Sequence, residues 1–130
     1  MGTTLIPPFR TTRTTRDQAI AALGEANRVR LRRASLMRWL YGQSSAQSHE
    51  RAAELIAEPD AALCSMLVLD LLGRVRQVGP AQAERMLPCA GVALTCTVDA
   101  LTARQRAALS AVLRLRAEQL SHRDRARAAR

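Results

Sequence analysis

Lysine is missing from this chain: all 20 basic residues are Arg. With Ala abundant, that bias fits a genome rich in G and C and says little about chemistry. Aromatic residues are almost missing too, at 2%, namely Phe9, Trp39 and Tyr41. Platforms on which exposed bases stack are therefore largely excluded, and contact with a duplex backbone is the better expectation for any nucleic-acid partner. Cys64, Cys89 and Cys96 are odd in number, form no Cys-x-x-Cys pair and lie far in sequence from His49 and His122, so no zinc motif can be written. The expectation is reduced, structural thiols, no metal and no cofactor. The apolar runs are broken by Glu58 or Asp70, and the first residues lack the apolar stretch of a signal peptide. A cytoplasmic protein without a membrane span is expected. No strand period survives a pass along the chain, which leaves an all-α fold.

What is present is charge. Net charge is +9 at pH 7 with a pI near 11.4, a balance that favours polyanions. It is unevenly spread. Met1 to Tyr41 carries eight Arg against two acids, Gly42 to Leu72 one Arg against five, Gly73 to Thr95 three against one, and Cys96 to Arg130 eight against three. An acidic middle between basic ends suits a protein that turns one face to a polyanion and another to solvent or a partner.

At 130 residues, 48% hydrophobic, the chain suits one domain. Residues 1–14, with Pro7-Pro8, repeated Thr pairs, Arg10 and Arg13, read as a flexible basic arm, either touching phosphates or inert. Thr15 to Gln18 fits a capping box, and a long helix to about Tyr41 should follow, with Ile20, Leu23, Leu31, Ala34, Met37 and Leu40 broadly on one side. Arg28, Arg30, Arg32, Arg33 and Arg38 crowd its second half and either meet phosphates or form a solvated face. Ser45 or Ser48 can cap a short helix that Pro59 stops. Asp60 caps a continuous apolar helix, Ala61 to about Leu72, expected in the core. Thr102 to Gln105 is a second capping box that starts the last helix at Ala103, and the basic tail 121–130 should fray. The helical domain is thus expected over 15–120.

The pivotal stretch is Gly73 to Met86. Gly79 can take backbone angles closed to other residues, and Pro80 sits well at a first helical position. A helix N-terminus free of acid until Glu84, with Arg74, Arg76 and Gln77 just upstream, is a phosphate site in outline. Gly-Pro before a short helix is also an ordinary joint between two bundle helices. Arg104 and Arg106, in the first turn of the last helix, oppose its dipole and suggest an anionic neighbour.

This order of elements resembles the integration host factor family of actinobacteria from about Asp17 to Leu113, most closely over Leu71 to Met86 and Leu101 to Leu109. The resemblance implies a helix-two-turns-helix motif, with its core at about 60–113, of the kind also found in a small-subunit ribosomal protein and some DNA repair glycosylases. It further implies a nucleoid-associated protein that binds duplex DNA with little sequence preference, bending or bridging it. By position, Arg74, Arg76, Gln77, Val78, Gly79 and Gln82 would surround a DNA phosphate, Arg104 and Arg106 match basic residues heading the last helix, and Arg28, Arg32 and Arg33 add a second face. Where the family has basic residues after the turn glycine, this chain has Pro80 and Gln82; its segment before the last helix includes Cys96, Thr97 and Asp99. A smaller electrostatic footprint follows. Two other functions fit these residues: an RNA or ribosome-associated protein, and a divergent paralogue acting through a protein partner or self-association. No acid–base pair, activated nucleophile or phosphate loop is recognisable, so catalysis is not expected.

Overall fold

We describe residues 8–129 of a computed structural model of the chain, with side chains from residue 15 onwards. The first seven residues of the expected arm lie outside the described residues, as does Arg130. The elements are α1 (Pro8–Gly42), α2 (Ser45–Ala57), α3 (Val68–Leu72), α4 (Pro80–Cys89) and α5 (Ala103–Ala128), with single 3-10 turns at Ala61–Leu63 and Val98–Ala100. The described residues contain no strand, only an isolated antiparallel bridge between Leu67 and Thr97. A long basic helix followed by a compact helical region is therefore the architecture.

The centre of the body is the antiparallel pair α2 and α5. Ser48, Ala52, Ala53 and Ile56 form the buried stripe of α2, and Leu109, Ser110, Leu113 and Ala117 that of α5. Small residues on both sides let the backbones approach. Ser110 Oγ donates to the Ala53 carbonyl at 3.0 Å, so the one buried hydroxyl of α5 is satisfied inside the seam. α3, α4 and the 92–101 segment close the core with Val68, Leu71, Leu72, Val75, Val78, Ala83, Leu87, Val92, Val98 and Leu101.

α1 begins at Pro8, upstream of Thr15. The helix runs through the Thr15–Gln18 box, and residues 8–14, expected to be irregular, belong to it. Pro at a helix start forfeits no hydrogen bond, and the chain from there to Gly42 contains no second proline to stop it. Among the residues of α1 whose side chains are described, those that reach the core lie at its C-terminal end: Met37, Leu40 and the half-buried Leu36. Every residue from 15 to 28 is exposed. At ~1.5 Å per residue, that stretch extends about 20 Å.

The expected continuous helix 61–72 is broken. Asp60 does cap it, accepting from the Ala62 amide at 3.0 Å, but the helix lasts one 3-10 turn before the chain straightens through Met66 and Leu67. The cause is a long-range competitor. Val68 N donates to Cys96 O at 3.0 Å, Val98 N to Met66 O at 2.9 Å and Asp99 N to Cys64 O at 3.0 Å, so the 96–99 segment takes the groups a helix would have paired. α2 is capped by Ser44, which accepts from Gln47 N at 3.3 Å, rather than by Ser45 or Ser48. α5 has both bonds of its capping box, Gln105 N to Thr102 Oγ1 at 3.1 Å and Thr102 N to Gln105 Oε1 at 2.9 Å. It continues to Ala128, so the expected fraying from Ser121 is not seen.

Gly79 does not use unusual backbone angles: its φ is −80°. The positive values fall on Gln77, at 70°, and Gly91, at 72°. Gly91 closes α4 in a Schellman arrangement, with Val92 N donating to Leu87 O at 2.8 Å and Gly91 N to Pro88 O at 2.9 Å. Replacing Gly91 by Ala should therefore destabilise the fold by about 1 kcal/mol, whereas Gln77→Gly should stabilise it by up to ~1 kcal/mol by removing left-handed strain. Urea titrations of both variants followed by circular dichroism check the opposite signs.

Candidate nucleic-acid interface

The Val75–Gly79 turn is pinned from beneath and from one side. Val75 and Val78 are buried, and Val78 N donates to Val75 O at 3.1 Å. Buried Ser48 of α2 accepts the Arg76 amide at 2.9 Å, and the Arg76 guanidinium donates to Gln43 O in the α1–α2 corner at 3.1 Å. Val78 is therefore a packing residue, with neither side chain nor amide free for a ligand. Arg74, Arg76, Gln77 and Gly79 are exposed.

No side chain caps α4. Pro80 has no N–H, the first helical bond is Ala83 N to Gly79 O at 3.0 Å, and the amides of Gly79, Ala81 and Gln82 donate to nothing among the described residues. Three open donors at the positive end of a helix dipole favour an anion. Clefts flank this helix start on two sides. The one toward α5, about 330 Å³, is lined by Gln77, Gln82, Arg116, Gln119, Leu120 and Arg123. The other, about 630 Å³, lies toward α1 and contains Arg33, Arg74, Pro80 and Ser65, together with the acids Asp70 and Glu84. The first has two guanidinium groups and no acid, so it is the more cationic.

Arg116 and Gln119 were not among the residues the sequence pointed to, and Arg123 was expected only as part of a basic tail that frays. Their i, i+3, i+7 spacing on α5 is the only signal, and it becomes informative once α5 is known to pass beside the turn. Arg116 also reaches into the body, where its Nε donates to His49 Nε2 at 3.2 Å, while His49 Nδ1 donates to Ser45 O at 2.7 Å. These partners fix the neutral Nδ1–H tautomer. His49 is fully buried. Burial lowers its pKa below the ordinary 6.5, with the Arg116 charge adding to the shift and the Ser45 bond opposing it. Burial also lowers the pKa of Arg116.

The other expected contacts lie elsewhere. Arg104 and Arg106 are at the far end of α5, twelve and ten residues before Arg116, about 15 to 18 Å along the helix. Arg104 is exposed. Arg106 is half-buried and directs its guanidinium to carbonyls: Ile56 O at 2.7 Å, Val98 O at 3.0 Å and Leu101 O at 3.4 Å. The anionic neighbour its position suggested is the C-terminal end of α2, whose carbonyls carry the negative end of that helix. Arg106 is thus a clamp within the fold.

On α1 the three named Arg are engaged. Arg28 pairs with Glu25 at 2.6 Å and Arg32 with Asp60 at 3.0 Å, while Arg33 donates to Ala62 O at 3.1 Å and Ser65 Oγ at 2.9 Å. The Asp60 carboxyl is held below its usual range by the Ala62 amide first and Arg32 second. Arg30 and Arg38 make no such bond among the described residues. With Arg33 and Arg74 they edge a groove of about 530 Å³ whose floor includes Ala34, Met37, Tyr41 and Met66. Arg74 therefore links the turn to α1, and the unengaged cations of α1 are not the ones the sequence favoured.

Cys64 and Cys96 are half-buried, Cys89 is exposed, and all three are free thiols. Among the described residues no group of His, Cys, Asp or Glu side chains could hold a metal ion, and no helix is long and apolar enough to cross a membrane. No protein-family model, curated protein or solved structure matches this chain.

Because unfolded His49 binds a proton more readily than folded His49, stability should be greatest above about pH 6.5 and decline as the pH falls below it. Urea midpoints between pH 7.5 and 5.5 should show that decline in the parent and a flatter profile in His49→Gln. In the same assay at neutral pH, Arg106→Ala should cost about 2 kcal/mol, since its loss leaves buried carbonyls unpaired. Arg104→Ala should stay within ~0.5 kcal/mol.

Proposed function

We propose that this is a nucleoid-associated binding protein rather than a catalyst, holding the backbone of duplex DNA with little sequence preference and bending or bridging it. The observation that carries the reading is the uncapped start of α4, where the amides of Gly79, Ala81 and Gln82 have no partner among the described residues and the flanking clefts carry Arg side chains of other elements. A phosphate seated there accepts backbone N–H bonds and meets Arg116 and Arg123 on one side and Arg74 on the other. Arg76 lies beside it, oriented by Gln43.

The near-absence of aromatic residues supports backbone contact over base stacking. Pro80 and Gln82, which replace basic residues in the resembling family, make the turn itself less charged, and the α5 pair Arg116 and Arg123 supplies cations at the same place. The footprint is therefore modest, and the affinity expected for such backbone binding is ~10⁻⁴ to 10⁻⁶ M at physiological salt.

Gly79→Ser separates this reading from mere electrostatic attraction. No atom lies within 4 Å of a Cβ added at Gly79, and a serine hydroxyl there would accept from the Ala81 or Gln82 amide. The variant should be more stable by about 0.3 kcal/mol yet bind duplex DNA more weakly, because the cap occupies the phosphate's donors. Anisotropy of a labelled random-sequence duplex, titrated at several salt concentrations, reads the affinity. Arg123→Ala should lower the slope of log affinity against log salt by roughly 0.9. Unchanged affinity in both variants would remove the α4 site, and tighter binding of a structured RNA than of duplex would replace DNA as the partner.

A further inference from the structure

The groove between α1 and the Met66–Arg74 segment is built differently from a phosphate site. Its floor is apolar, formed by Ala34, Met37, Tyr41 and Met66, and its rim carries Arg30, Arg33, Arg38 and Arg74 with no acid in the lining. None of those four rim cations has a carboxylate partner among the described residues: Arg33 bonds to Ala62 O and Ser65 Oγ, and the side chains of Arg30, Arg38 and Arg74 bond to nothing, whereas Arg28, Arg32 and Arg51 each pair with an acid.

The floor does not end with the groove. Ile20, Leu23, Leu31 and Tyr41 are 61%, 69%, 69% and 63% exposed. At ~100° per residue they and Ala34 fall within an arc of about 80° on α1. Asn27 and Arg38 fall in the same arc, so an exposed, mainly apolar stripe interrupted by these two residues runs from the free part of the helix into the groove. From residue 20 to residue 41 it measures about 32 Å, which matches a partner helix of about 20 residues.

We propose that this groove and stripe dock an acidic amphipathic helix of a protein partner, its apolar face on Ile20, Leu23, Leu31 and Ala34 and over the edges of Met37 and Met66, and its carboxylates against the Arg rim. Charge selects that occupant. A nucleic-acid backbone has no apolar face to cover the floor, and the α1 of a second copy would bring its own Arg cluster against the same rim. A flat anionic membrane reaches the rim but not a floor recessed between two segments. The helix-in-groove mode uses both features at once, apolar anchors for affinity and carboxylates for orientation. The groove does not depend on the α4 site, because Arg30 and Arg38 lie on α1 and the stripe runs away from the turn.

The test uses the full chain and two labelled 20-residue peptides of equal Leu and Glu content. One places Leu at i, i+3, i+4 and i+7 on a single face, and the other spreads the same residues evenly round the helix. Anisotropy should give micromolar binding of the in-phase peptide and at least about tenfold weaker binding of the other. Arg30→Glu/Arg38→Glu should abolish the first, and Ile20→Ser/Leu23→Ser should weaken it by about tenfold, with far-ultraviolet circular dichroism retained in both variants. Neither pair alters a buried contact, so the fold survives them. Equal binding of the two peptides, no binding below ~100 μM, capture on phosphatidylglycerol vesicles with no peptide binding, or dimerisation that the peptide does not reverse would each overturn the proposal.

Discussion

Everything in this molecule depends on how closely α2 can lie against α5. Ala52 and Ala53 leave room for Leu109 and Leu113, and Ser110 ties the two backbones where they are closest. At each end of the seam an Arg of α5 reaches across to α2. Arg106 collects the carbonyl at Ile56, and Arg116 meets His49. One guanidinium neutralises the negative end of α2, while the other is held at the opposite end by a neutral imidazole. The seam thereby sets which part of α5 passes beside the Val75–Gly79 turn and brings Arg116 and Arg123 to the start of α4. Buried Ser48, on the same helix, holds the turn at the Arg76 amide. The scaffold and the candidate site share these residues, so damage to the seam would be read first as lost binding.

Local chemistry was legible where a few consecutive residues decide it. Thr102 with Gln105, Asp60 before Ala62, and Pro80 at the head of α4 all act as their spacing implies, because a cap involves only its own turn. What was not legible depends on partners distant in the chain. The apolar run 61–72 breaks because segment 96–99, about thirty residues on, takes its backbone bonds. Arg106 carries the same charge and sits in the same kind of position as Arg104, yet only one of them faces the end of another helix. Positive φ fell on Gln77 rather than Gly79, since burial of Val75 and Val78 on either side forces the turn between them. The expected Arg cluster on α1 was real as a cluster, but Glu25, Asp60, Ala62 and Ser65 engage the members the sequence favoured and leave Arg30 and Arg38 open.

The two surfaces of interest differ in physical kind. At the start of α4 the donors are backbone amides and the flanking clefts are lined by Arg side chains, an arrangement that favours a compact anion. Along α1 the cations stand above an apolar floor, and only a ligand with two unlike faces satisfies both. Arg74 borders both regions.

The first half of α1 has a consequence of its own. Residues 15–28 are all exposed and none belongs to the core, so their helical order rests on backbone bonds, on surface contacts such as that of Arg28 with Glu25, and on continuity with the anchored end at Met37 and Leu40. Helices held only from one end lengthen and shorten residue by residue, with no barrier comparable to the unfolding of a packed core. Warming should therefore melt this stretch gradually from its far end while the α2–α5 body remains folded. Amide hydrogens there would exchange in order of their distance from Met37, the nearest of them last.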